Sequence, residues 1–246
     1  MSEPPQPPPL PTHGKRPKAI VLDVNGTLFP PSAAGAAFTD LGLDAARVDE
    51  FFAATLRDGF AAHVAGGGGG GAFVTFAQVG AAHLGDMLRA AGDSSTDPDA
   101  AMRQVAAAWA AADIYPDIAP ALKRIKAAGI QVAALTNGTA GGIATRLVER
   151  AGLAGVVDPL LDVQMAQAWK PDARAYRFAT DRLGVPQHDV LMVAAHPWDV
   201  NGALAAGLRG VYVRRAGGGA FPAFLRRPEA VVGDFGELAE RLLALE

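Results

Sequence analysis

The chain has no cysteine. Disulfides, thiolate nucleophiles and cysteine-ligated metals are therefore all excluded. It has no excess of basic residues either. Its 22 lysines and arginines against 25 acids give a net charge of -3, so no positive field invites nucleic acid. No stretch approaches the roughly 18 consecutive apolar residues a membrane span needs. The opening MSEPPQPPPLPTHGKRPK carries no apolar segment of the kind a secretory signal contains. What remains is an expectation of a soluble, cytoplasmic protein. Its 246 residues, 50% hydrophobic, are enough for one large core with a smaller insert.

Six prolines fall before residue 17, so 1–17 reads as a disordered, proline-rich tail. From Lys18 the pattern becomes a buried strand, KAIVLDVNGTLF. Residues 33–115 are alanine-rich, with Phe51, Phe52, Leu56 and Phe60 at helical spacings. Within them Gly66 to Gly71 form an unbroken run. A dinucleotide-binding loop would need a strand before it and a helix after it, and neither is there, so a plain loop is expected. After Pro116 strands alternate with helices. Strands are expected at 130–136, 190–194 and 210–213, and helices at 119–128, 142–151, 172–183 and 202–206. That alternation predicts an α/β fold, a parallel sheet covered on both faces. Ligands in such sheets sit at the carboxyl ends of strands.

Four polar signals stand beside strand ends or open a helix: Asp23 with Thr27, Thr136 with Asn137 and Gly138, Lys170, and Asp199. Each has a structural explanation when taken alone. Asp23 and Asp199 would cap turns or helices, Asn137-Gly138 would be a turn, and Lys170 would be surface. Their occurrence together, in order, points to one site.

In these residues the chain resembles the haloacid dehalogenase superfamily. Asp23 and Thr27 match its D-x-x-x-T strand end, Thr136 its second motif, Lys170 its lysine and Asp199 its last aspartate. The resemblance implies a Rossmann-like core, 18–32 with 116–246, and a helical cap at 33–115. It also implies that Asp23 is a nucleophile forming a covalent intermediate. Within the superfamily the closer likeness is to the 2-haloacid dehalogenases (type II). Trp198 and Asp199 keep the end of their S-S-N-A-W-D, Tyr176 lies six residues after Lys170, and Arg57 lies 34 after Asp23, near their cap arginine.

Asn25 separates this branch from the phosphatases. Their D-x-D supplies an acid that protonates a departing alkoxide, and an amide cannot do this. A halide leaves without a proton. Ala195 stands where the phosphatases carry a Mg²⁺-binding aspartate, and the nearest acid, Asp189, precedes the strand. No metal and no cofactor is therefore expected. The resemblance implies that Asp23 attacks the halogen-bearing carbon, held ionised by Lys170, which Asp199 orients, with Asp199 also helping to activate the hydrolytic water. Thr136 and the backbone N–H groups around Val24 and Asn25 would bind the substrate carboxylate. Arg57 and Asn137 would receive the halide, and Tyr176 would support the pocket. His196, in place of the family's asparagine, would either position water or merely pack at a helix entry. Trp198 reads as core. The partner is a small haloacid, with neither nucleic acid nor membrane. Homodimers are common in the resembling family, although no interface signature is visible. The alternatives are a phosphatase of the same fold and a non-catalytic binding protein.

Overall fold

The computed structural model describes residues 15–67 and 73–245. Met1 to Gly14, most of the expected tail, lies outside them, as does most of the glycine run. Six strands form one parallel sheet in the order β3-β2-β1-β4-β5-β6. They are β1 (Ala19–Leu22), β2 (Gln131–Thr136), β3 (Leu160–Asp162), β4 (Val190–Ala194), β5 (Arg209–Val213) and β6 (Ala230–Val232). β1 lies between β2 and β4, where the strand order reverses, and the cleft beyond the carboxyl ends of these strands is the natural ligand position.

Alternation along β1 divides the core. Ile20 and Leu22 face one apolar layer, with Ile118, Leu122 and Ile125 of α5 (Ile118–Ala127) and Phe235, Leu238 and Leu242 of α10 (Phe235–Leu243). Ala19 and Val21 face the other, with Ala175, Tyr176 and Ala179 of α8 (Ala173–Leu183) and Val200 and Ala203 of α9 (Pro197–Ala205). Both faces of the sheet are covered, so its strands are apolar on both sides. No helix among the described residues is long and apolar enough to cross a membrane.

Between β1 and α5 come α1 (Gly35–Asp40), α2 (Val48–Ala65), α3 (Phe76–Ala90) and α4 (Pro98–Ala110). Their starts are written in the sequence. Thr75 and Gln78 form a reciprocal capping box on α3, and Asp97 accepts from the first N–H groups of α4, with Pro98 behind it. Trp109 fastens α4 inward. It is fully buried, it stacks at 6.2 Å on Phe51, and its indole N–H donates to the Pro31 carbonyl.

Three expectations need correction. The short edge strands β3 and β6 were not expected, because three residues carry too little periodicity to declare a strand, and helix α10 was not expected either. Helix α9 begins at Pro197 rather than Gly202, since proline is at ease in a first helical turn. Lys15 to Pro17, placed in the tail by composition, belong to the packed body. Arg16 donates to the carbonyls of Leu243 and Leu245, Arg209 donates to that of Lys15, and Pro17 is buried.

Trp169 joins the two helical layers. Its indole N–H donates to the Val74 carbonyl at 2.7 Å, and its ring stacks on Phe76 at 6.2 Å. It lies so close to α2 that a Cβ on Gly59 would stand 2.3 Å from a ring carbon. Gly59→Ala should therefore destabilise the protein. Overpacking costs about 1–3 kcal/mol, against roughly 1 kcal/mol gained in helix propensity. Urea unfolding measures the balance, and a stabilised variant would show that this joint is loose.

Candidate active site

The site is organised by one ammonium group. Lys170 Nζ lies 2.9 Å from Asp23 Oδ1, 2.6 Å from Asp199 Oδ2 and 2.8 Å from the Leu135 carbonyl oxygen. Lysine has three N–H donors, and all three are used. Asp23 follows β1, Asp199 lies in the first turn of α9 after β4, and Leu135 is on β2, so three adjacent strand ends meet at this nitrogen. Lys170 and Asp199 are completely buried, and Asp23 nearly so.

Burial pushes the Asp23 carboxyl up, but the Lys170 ammonium, His196 and the Thr27 hydroxyl more than offset it, leaving Asp23 below the ordinary carboxylate range. Asp199 goes the other way. Its burial, with the Asp23 charge added, outweighs Lys170 and holds it above that range. Lys170 loses by burial and gains more from Asp199 and Asp23, so its ammonium is reinforced. The result is an ionised carboxylate at the mouth of the site and a charged lysine behind it.

The neighbours fix these groups. Thr27 donates to Asp23 Oδ2 and accepts from the Ala195 N–H. The Val24 carbonyl accepts from the Thr27 and Leu28 N–H groups, which closes the turn after Asp23. The Tyr176 hydroxyl donates to Asp199 Oδ1 at 2.7 Å, so Tyr176 supports Asp199 rather than lining the pocket. The Asn137 amide accepts from the Lys170 N–H and donates to the Lys170 carbonyl. Both ends of that amide hold the lysine's backbone, and one N–H of the amide nitrogen, at the cavity wall, has no partner among the described residues. The Thr136 hydroxyl oxygen accepts from the Gly138 N–H at the cavity wall.

Over Asp23 lies a narrow cavity of about 10 Å³, lined by Asn25, Phe52, Leu56, Phe76, Thr136, His196 and Trp198 among others. This is barely room for one water. Asn25 Oδ1 is buried there without a partner. Trp198 is half-buried and faces this cavity, so it is wall rather than core. His196 lies beside the carboxylate, its Nε2 3.7 Å from Asp23 Oδ2.

Arg57 is not in the site. Its side chain is 69% exposed and paired with Asp58, in a separate cleft of about 700 Å³. The face of α2 that meets the cavity carries Phe52 and Leu56. One helical residue is a rotation of about 100°, which carries Arg57 off the face that Leu56 occupies.

One residue with no sequence signal also bears on the site. Arg215 donates to the Thr27 carbonyl at 3.1 Å and to Asp117 at 2.8 Å, with its guanidinium 4.1 Å from the Tyr115 ring. It ties the turn holding Asp23 to the segment where the chain returns from α4. Its partners are 188 and 98 positions away, so nothing local announces it.

Replacing Lys170 by methionine tests the electrostatic account. Two buried carboxylates would lose their cation, and breaking such a group costs about 3–5 kcal/mol. Without Lys170, burial raises both folded-state carboxyl pKa values above the unfolded ones. The penalty is then full at neutral pH and relieved as pH falls. Urea unfolding should show a deficit near pH 7 that shrinks toward about pH 5, whereas an equal deficit at both pH values would contradict the account.

Residues 17–207 match the family of haloacid dehalogenase-like hydrolases. A protein named (S)-2-haloacid dehalogenase from Pseudomonas fluorescens is 33% identical over 129 residues, 52% of this chain and 56% of that protein. One named as a phosphatase from Mycobacterium tuberculosis is 39% identical over 103 residues, 42% of this chain and 48% of that protein. The chain thus aligns with only about half the length of these relatives. A crystal structure described as a dehalogenase with an intermediate complex superposes with a TM-score of 0.74 at 26% identity, over 91% of this chain and 96% of that one. With the strand order, the lysine-bridged aspartates and a match over most of its length, the chain belongs to the haloacid dehalogenase-like hydrolases.

Proposed function

We propose that this protein hydrolyses short 2-haloacids to 2-hydroxyacids through an ester on Asp23, without a metal. The observation that carries this is the pairing of an ionised, lysine-held Asp23 with an apolar roof and an amide, Asn25, where a carboxylic acid would protonate a departing alkoxide. Asp23 attacks the halogen-bearing carbon. The new C–O bond forms as the carbon–halogen bond breaks, and the halide leaves with the electron pair. Phe52, Leu56, Phe76 and Trp198 exclude water from this step. Water then adds to the Asp23 carboxyl carbon and the acyl–oxygen bond breaks. One water proton ends on the product hydroxyl, the other is released, and Asp23 is restored. Thr27, Lys170 and Asp199 hold the carboxyl group through both steps.

The donor set does not suit Mg²⁺, which takes hard oxygen ligands in octahedral array. Both oxygens of Asp199 are committed, one to Lys170 and one to Tyr176. Position 195, beside Thr27, is alanine. The relative named as a phosphatase keeps phosphate-ester hydrolysis as the second reading. The missing ligand and the amide at Asn25 weigh against it.

Halide release from chloroacetate and 2-chloropropionate, insensitive to EDTA, is the expected result. Phosphate release that requires Mg²⁺ would reverse the choice. In a single turnover in ¹⁸O-water, label should enter the Asp23 side chain and the first product should stay light. Asp23→Asn should abolish turnover. Label appearing at once in the product would make Asp23 a base instead of a nucleophile.

A further inference from the structure

Resting on that reading, the charge balance of the site raises a question. Asp23, Asp199 and Lys170 together carry one net negative charge before any substrate enters. A haloacid brings a second negative charge, and its reaction moves the charge of Asp23 onto the departing halide. Some group must receive them. Lys170 has no donor left, because all three are taken by Asp23, Leu135 and Asp199. Arg57 points into another cleft. Among the described residues, the helices between β1 and α5 contribute only Phe52, Leu56 and Phe76 to this wall. The polar side chains left on the wall beyond Asp23 are Asn25, Thr136, Asn137 with one amide N–H to spare, and His196, and of these only histidine can become a cation.

We propose that His196, as an imidazolium, is the group that receives the anion at this wall, the substrate carboxylate or the departing halide, where no guanidinium among the described residues reaches. Its placement is well defined. Nε2 lies 2.8 Å from the Asn25 carbonyl oxygen, which can only accept, so Nε2 carries hydrogen. The ring stacks on Trp198 at 5.3 Å and 19° and meets Phe52 at 5.9 Å. Gly26 makes the approach feasible, since a Cβ there would stand 2.7 Å from Nε2. With Nε2–H held, Nδ1 has no hydrogen-bond partner among the described residues. Protonation turns that nitrogen into a second donor, so anion binding and proton binding reinforce each other. The charged groups facing the ring come from the core. They are Asp23 beside it, and Lys170 and Asp199 behind Trp198. The positive end of α9, at whose N-cap His196 sits, opposes protonation, and the cap offers the ring only Phe52.

Equilibrium binding to the full chain tests this without turnover. Bromide stands for the leaving halide, and 2-methylpropanoate for a carboxylate with no leaving group. Wild-type affinity for at least one of them should fall as pH rises and the imidazolium is lost. His196→Gln should bind that anion about tenfold or more weakly, with the pH dependence gone. Arg57→Gln should match wild type. The arm that responds identifies which anion His196 receives. A His196→Gln protein with unchanged affinity and slope for both anions, or a loss in Arg57→Gln, overturns the assignment. Chloroacetate turnover is read separately. Its absence in a wild type that still binds anions through His196 would end the dehalogenase reading and leave this assignment standing.

Discussion

The ammonium of Lys170, shared between two buried carboxylates, is the constraint around which the site is arranged. Bringing a lysine and two aspartates out of water is costly unless every charge finds its partner. That requirement sets the positions of three strand ends at once. β1 must deliver Asp23, β2 must turn the Leu135 carbonyl inward, and β4 must run into α9 so that Asp199 faces back. The Tyr176 hydroxyl takes the remaining Asp199 oxygen, and the Asn137 amide fixes the lysine's backbone. A site built this way spends much of its polar inventory on itself. Few donors are left over for a substrate, which is why an anion's reception becomes a separate problem.

The same lysine is tied to the position of the cap. Trp169, one residue earlier, is wedged against Gly59 and Phe76. Two residues after it, Asp172 caps α8 and pairs with His63 of α2 at 3.0 Å. The segment carrying Lys170 is therefore held from both sides by contacts to α2 and α3. On the opposite flank, Arg215 links the Thr27 turn to the returning chain. With a cavity of about 10 Å³, substrate cannot enter unless this narrow arrangement yields. A displacement of α2 and α3 would pull on Trp169, and so would be felt at Lys170.

How much of this was legible in the sequence follows from where the information lies. Asp23, Thr27, Lys170 and Asp199 were readable because each is a polar residue beside an apolar run, in an order that makes sense only in a parallel sheet. Arg57 was misplaced because a count of residues from Asp23 says nothing about helical phase. The phase was in fact available. Phe52, Leu56, Gly59 and Phe60 recur at i, i+4, i+7 and i+8, and that stripe leaves Arg57 off the inner face. Trp198 was assigned by bulk to the core, yet a residue one position before an inward aspartate at a helix start sits at the rim of the cavity. Arg215 could not have been found, because its partners come together only when β5 has taken its place in the sheet.

The turn Asn25-Gly26 shows why the local sequence departs from a plain strand-end loop. Gly26 has φ of 82°, and it lacks the Cβ that would strike His196. Any other residue there would be strained and would also push the imidazole away from Asp23. Asn25 offers its carbonyl to that same imidazole and leaves its side-chain oxygen buried without a partner. An unsatisfied buried acceptor costs about 1–3 kcal/mol, so it is kept only where a donor arrives at some stage. An aspartate at position 25 would add a negative charge beside Asp23 and repel the very anions the site must take. The amide therefore does two things a second carboxylate could not. It puts no carboxylic acid beside Asp23 for alkoxide departure, and in the proposed reaction it keeps the neighbourhood of His196 open to an anion.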